Sequence, residues 1–177
     1  MKLTKCKMKA DGCKGEYKKW STSQKTCENP DCALELVKLD KAKKARKVYL
    51  SEKIRLKSRR EWLQDAQKFF NAWVRKRDEG KPCISCGRMH KGQMQAGHYL
   101  SVGAHPALRY AEDNCHSQCV PCNDHLSGNI VRYRPNLIIK IGIDRVEELE
   151  GPHDPKQYSI PDLVEIRRVY KLKLKEL

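Results

Sequence analysis

The feature that most narrows what this chain can become is a pair of C-x2-C knuckles, Cys83-Ile-Ser-Cys86 and Cys119-Val-Pro-Cys122, separated by 32 residues. Each knuckle presents two sulfurs from one tight turn. Together they supply the four soft donors of a tetrahedral zinc site, so a structural four-cysteine zinc is expected here. Gly87 and Pro121 suit such turns. A redox role is disfavoured, because there are two such pairs and no βαβ pattern surrounds them. A second set, Cys6, Cys13, Cys27 and Cys32, has the less regular spacing C-x6-C-x13-C-x4-C. It is expected to hold a second zinc in a ribbon-like or treble-clef-like finger, giving one or two structural Zn2+ in all. Cys115 is left over and reads as a small packing residue. The odd count of nine, behind an opening (MKLTKCKMKADGCK) without an apolar signal core, argues against a disulfide framework.

A chain stapled by metal can afford a poor core. Hydrophobic residues make up 39% of its 177 residues, below the usual ~45–50%. No apolar run approaches the ~20 residues of a spanning helix, which excludes a helical membrane protein. The surplus of 37 Lys and Arg over 22 Asp and Glu gives a net charge of +15 and points to a polyanionic partner, normally nucleic acid. Most of it lies in residues 38–77, which hold fifteen basic and four acidic side chains. Lys41, Lys43, Lys44, Arg46, Lys47, Arg59 and Arg60 are the candidate phosphate contacts.

Four segments follow from pattern. Residues 1–34 form the cysteine-bearing module. Residues 35–80 read as a basic helical region whose second half carries Trp62, Ala66, Phe69, Phe70 and Trp73 on one face, more in keeping with core than with base stacking. Residues 81–150 hold the knuckles and the chemistry, followed by a short helix over NLIIKIGIDRVEELEG. Residues 151–177 end in a helix opened by Ser159-Ile160-Pro161, with Leu163, Ile166, Tyr170, Leu174 and Leu177 as one stripe. That stripe packs either on the chain's own core or on a second copy. The expected class is a small zinc-stabilised α+β protein.

Between the knuckles, Gln93–Tyr99 is predicted as a strand carrying His98, and Asn114–Gln118 as the returning strand, with Asn114 and His116 on one face. Asn123 follows the second knuckle at a helix start. A His, an Asn and a second Asn in this order resemble the HNH, or ββα-metal, nuclease motif. In chemical terms, a neutral imidazole at His98 can take a proton from water. The amide oxygen of Asn123 can bind a hard cation such as Mg2+ or Mn2+. Asn114 suits fixing the hairpin rather than reacting.

CVPCN resembles the phage endonuclease VII type of Holliday-junction resolvase. The GHYLS, LRY, DN-x-H-x-QC-x-x-CN and SGN elements behind a basic cysteine-bearing N-terminus are similar to the lambdoid-phage NinG (Rap) family across essentially the whole chain. The resemblance implies a ββα-metal nuclease module and a metal-dependent endonuclease for branched DNA in phage recombination, acting in the bacterial host cytoplasm. Many nucleases of this class carry Asp-His on the first strand, the Asp being a metal ligand. This chain has Gly97-His98. His116 is the expected substitute ligand, with Asp113, Asp124, His105 and His125 as alternatives. Symmetric cutting would need two active sites, hence a homodimer, with the Trp62–Trp73 face or the terminal helix as its seam. A non-catalytic zinc-finger DNA-binding protein is the competing class.

Overall fold

The computed structural model describes residues 3–177 and divides the chain into two compact units, Met1–Lys57 and Ser58–Leu177. In the first, β1 (Thr4–Lys5) pairs antiparallel with β2 (Glu16–Tyr17), and the chain then enters α1 (Pro30–Arg55). Asn29 caps that helix, its side chain accepting the Asp31 N–H at 2.8 Å, with Pro30 in the first turn. Of the 26 residues in α1 only Cys32 is buried. Helix formers such as Ala, Lys, Leu and Arg carry it rather than a packed stripe.

The region 35–80 is not one helix. It breaks at Leu56, where α1 ends. Ser58 then starts α2 (Arg59–Arg77) with a capping box: Ser58 accepts the Glu61 N–H while Glu61 accepts the Ser58 N–H. The two halves belong to different units.

In the second unit, α2 buries Trp62, Ala66, Phe70, Trp73 and Val74. A second capping box, Ser159 with Asp162, opens α5 (Ile160–Glu176). Its Leu163 and Tyr170 enter the same cluster, Tyr170 meeting Phe70 edge-to-face at 4.9 Å between ring centres. Both faces suggested as a dimer seam therefore cover each other within one chain, because each supplies the apolar partner that the other lacks.

Beside α2 lies the antiparallel hairpin of β3 (Met94–His98) and β4 (Cys115–Cys119), in which His98 pairs with Cys115, Gly97 with His116 and Gln95 with Gln118. Ala96, His98 and Cys115 face the α2 cluster. The other face meets α3 (Ile130–Ile141), whose Tyr133 and Leu137 are fully buried with Val146 of α4 (Ile143–Glu150). The single short helix expected near residues 136–151 is thus two helices, the first starting earlier, at Ile130. Gly142, at φ +88°, makes the break between them. Asp78, at the end of α2, ties the layers together. Its buried carboxylate accepts from Arg77 (2.7 Å), the Ser117 N–H (3.2 Å) and Lys140 (3.3 Å). These cations hold it well below the usual carboxylate range against the cost of its burial. Among the described residues the fold is a mixed α+β arrangement with two small sheets, and no helix is long and apolar enough to cross a membrane.

Candidate metal and nucleic-acid sites

Both predicted quartets come together. The sulfurs of Cys83, Cys86, Cys119 and Cys122 lie within 4.8 Å of one another, as do those of Cys6, Cys13, Cys27 and Cys32. Zn–S bonds of ~2.3 Å in a tetrahedron place sulfurs ~3.8 Å apart. Cys86 and Cys119 stand at 3.9 Å, and Cys13 and Cys27 at 3.7 Å. Backbone N–H groups point at the sulfurs, Cys119 N–H to Cys83 and Cys27 N–H to Cys6, each at 3.3 Å. Such donors favour the thiolate form that metal binding requires. In the N-terminal quartet burial raises the Cys6 thiol, yet the backbone groups and neighbouring thiols bonded to it outweigh that and hold it at about 7, whereas burial pushes Cys32 up to about 12. Either cluster could hold a zinc ion. Cys115 is fully buried against the α2 cluster, and burial pushes its thiol far up, as expected of a packing residue.

His98 ends β3 on the α2 face. Its ring stacks on Phe70 at 6.1 Å, and Nε2 lies 3.0 Å from the Arg109 carbonyl. A carbonyl only accepts, so Nε2 carries the hydrogen and Nδ1 the lone pair, facing the Cys115 sulfur at 3.8 Å. Burial lowers its pKa, so the imidazole is neutral at pH 7.

Asn123 lies in a π-helical turn, Pro121–His125, immediately after Cys122. Its Nδ2 donates to Gln95 Oε1 (2.6 Å) and Asp124 Oδ1 (3.0 Å), while Gln95 Nε2 donates to Asp124 Oδ2 (2.8 Å). Because a carboxylate only accepts, this ring of contacts turns Asn123 Oδ1 the other way, over Gly97. A Cβ added at Gly97 would sit 2.7 Å from that oxygen and 1.7 Å from Gln118 Oε1. Asn123 is therefore on the Gln95–Gly97 face of β3 and His98 on the opposite one. A general base and a cation ligand serving one reaction would need to meet across the reacting atoms. Strand alternation separates them, since residues 97 and 98 are consecutive.

Asn114 does what its residue type suggested. Fully buried, it accepts the Leu100 N–H at 2.8 Å and donates to the Leu100 and Leu108 carbonyls, closing the hairpin's open end. His116 has a different task from the ligand role expected of it. It is 2% exposed, with Nδ1 3.2 Å from the Tyr133 hydroxyl, which in turn donates to the Gly97 carbonyl. Burial, then the charges of Lys140 and Arg77, lower its pKa to about 3. It is a neutral interior group joining β4 to α3. Gln95, Gln118 and Asp124 complete the polar patch around Asn123. The first two had no role assigned, although period-two counting from Gly97 places Gln95 on that same face.

Lys41, Lys43, Lys44, Arg46 and Lys47 are exposed along α1, and Arg60 is exposed on α2. Arg59 instead commits its Nε to the Tyr158 carbonyl at 2.8 Å, anchoring the entry to α5. The basic residues read as one patch thus lie on two units.

A family profile described as Bacteriophage Lambda NinG protein matches residues 1–177. The chain belongs to the NinG family. Among its NinG relatives are "Protein ninG" of Escherichia phage lambda and of Salmonella phage P22, each 46% identical over 125 residues, or 71% of this chain. "Protein ninG" of Escherichia phage 933W is 45% identical over the same length. These alignments cover 61–62% of the relatives, so the chain matches about three fifths of their length. No solved structure gives a significant match.

Proposed function

We propose that this NinG-family chain is a metal-dependent endodeoxyribonuclease that cuts branched DNA, such as Holliday junctions and D-loops, during phage recombination. One observation carries the reading. A cysteine cluster suited to zinc stands at the turn after β4, and from that turn the Asn123 carboxamide reaches back over Gly97, the residue that precedes His98 in β3. His98, neutral and held through Nε2 by the Arg109 carbonyl, is the general base of this reading, its Nδ1 turning from the Cys115 sulfur to take a proton from the attacking water. Asn114 locks the hairpin end on which His98 sits. The oxygen of Asn123 suits a Mg2+ or Mn2+ ion, which when bound supplies charge neutralisation at the scissile phosphate. Residues 97 and 98 are adjacent in β3 but present opposite faces, so in this reading the base and the cation-holding group flank one strand end and bound DNA must reach both. The basic α1 helix supplies non-specific phosphate attraction. Two copies acting on one junction would explain symmetric cuts, through a seam other than the α2–α5 face.

A second reading is favoured by a specific observation. His98 and Asn123 occupy opposite faces, and among the described residues only the two cysteine quartets form clusters of His, Cys, Asp or Glu able to hold a metal. A zinc-stapled DNA-binding protein without catalysis would have the same features. Incubating the zinc-loaded protein with a fixed four-way junction and Mg2+, Mn2+ or Zn2+ decides between them. The nuclease reading expects nicks that fall ~10²–10⁴-fold in His98→Ala with junction binding retained. Tight binding without nicks under every metal would reject it in favour of the second reading.

A further inference from the structure

Gln118 has no part in the roles above, and its oxygen has no partner. The side chain is fully buried, with Nε2 donating to Ser85 Oγ at 2.5 Å and to the Gly128 carbonyl at 2.6 Å. A carbonyl cannot donate, so the amide nitrogen is fixed on that side and Oε1 must face away from it, toward Gly97. No hydrogen-bond donor reaches Oε1. Leaving a buried acceptor unpaired forfeits its hydration without return, and such groups are few in native proteins.

The same spot is addressed by Asn123 Oδ1, whose amide nitrogen is likewise fixed by Gln95 and Asp124. Both oxygens lie within 2.7 Å of the point where a Cβ on Gly97 would be. Gly97 lacks the positive φ that favours glycine elsewhere in the chain, so glycine is needed there for room, not for backbone freedom. Two carbonyl-type oxygens converging on one point, with no donor between them, are suited to a hard divalent cation. Both are held from behind: Gln118 by Ser85, which lies between Cys83 and Cys86, and Asn123 by its place directly after Cys122.

We propose that Gln118 supplies, from β4, the oxygen ligand that position 97 of β3 lacks, so that Gln118 and Asn123 together hold the divalent cation. This rests on the nuclease reading and names a ligand that the reading left open. Both donors are neutral, so the site is weak for the free ion and is completed by water and by phosphate oxygens of bound DNA.

The test uses Mn2+ as probe, titrated into full-length zinc-loaded protein and followed by loss of the free-ion EPR signal, with zinc content and thermal midpoint measured for every variant. Gln118→Met is expected to weaken Mn2+ binding ~10-fold or more, and Gln118→Glu, which keeps an oxygen and adds charge, to tighten it by about as much. A merely structural role would give no gain with Glu. Should Gln118→Glu fail to fold, the double variant Gly97→Asp with Gln118→Ala places a carboxylate from β3 in the vacated space and is expected to recover Mn2+ binding. If Asn123→Ala abolishes Mn2+ binding while Gln118→Met leaves it unchanged, Gln118 is not a ligand and the nuclease reading stands. If no Mn2+ binding depends on Asn123, this proposal falls along with the cation role given to that residue, and nicking by wild type against His98→Ala judges catalysis separately.

Discussion

The two cysteine quartets have the same ligand set in unlike surroundings. Around Cys6, Cys13, Cys27 and Cys32 the only other buried apolar residue among the described ones is Tyr17, with Met8 and Ala10 partly covered. Beyond them α1 runs on with nothing buried after its first turn. Around Cys83, Cys86, Cys119 and Cys122 the protein has two further apolar clusters, one between α2 and α5 and one under α3 and α4. The first unit therefore has little besides its thiols to offset the entropy of ordering its loops, whereas the second has a core of its own. One chemistry serves as a foundation in one unit and as a local clamp in the other.

That contrast can be broken by experiment. The largest expected effect is metal removal. A zinc-specific chelator should unfold the loops of residues 3–34 outright, since structural zinc contributes on the order of 10 kcal/mol or more in small modules. Hydrogen exchange should show α2 and α5 still protected, and equal loss of protection in both units would erase the distinction. Next in size is Phe70→Ala, which deletes a fully buried ring contacting Trp73, Tyr110 and Tyr170. It should cost ~3–5 kcal/mol by denaturant unfolding of the second unit, with the zinc content of the N-terminal quartet unchanged.

A smaller effect is expected from acid. His116 is held at about 3 in the fold against ~6.5 when unfolded, so the unfolded chain binds the extra proton first. The stability it contributes is complete above pH ~6.5 and is lost as pH falls toward 3. Asp78, depressed by its cations, acts in the same direction at lower pH. The thermal midpoint of the second unit should fall by on the order of 5–10 °C between pH 7 and 4, and less steeply in His116→Gln. Parallel slopes in the two proteins would show that His116 is not the titrating group. The smallest effect belongs to α1. Lys41→Glu with Lys44→Glu should weaken DNA binding and flatten the slope of log K against log salt by ~0.9 for each phosphate no longer neutralised. An unchanged slope would leave α1 with no part in binding.

Much of this was legible in residue spacing. The knuckles named their quartet because ligand spacing is local and zinc geometry is strict. The α2 stripe and the start of α5 at Ser159 were equally readable, since helix faces and helix starts depend on residues only a few positions apart. His98 and Asn123 could be singled out as residues, but not their relation. Whether they face each other depends on the parity of β3 and on the path of the turn after Cys122. The break at residues 56–58 was missed because α1 and α2 share a helix-favouring, basic composition across it.

By itself the amino-acid sequence determined the two cysteine quartets suited to a metal, the basic charge and the main helical faces, since all three follow from residue types at short, fixed separations. Only the tertiary structure decided that the α2 and α5 faces close on each other, that His116 is an interior strut, and that Gln118 points an unpaired oxygen into the space above Gly97. Those outcomes depend on pairing register and on which buried donors are already taken, and neither is fixed until distant segments have packed.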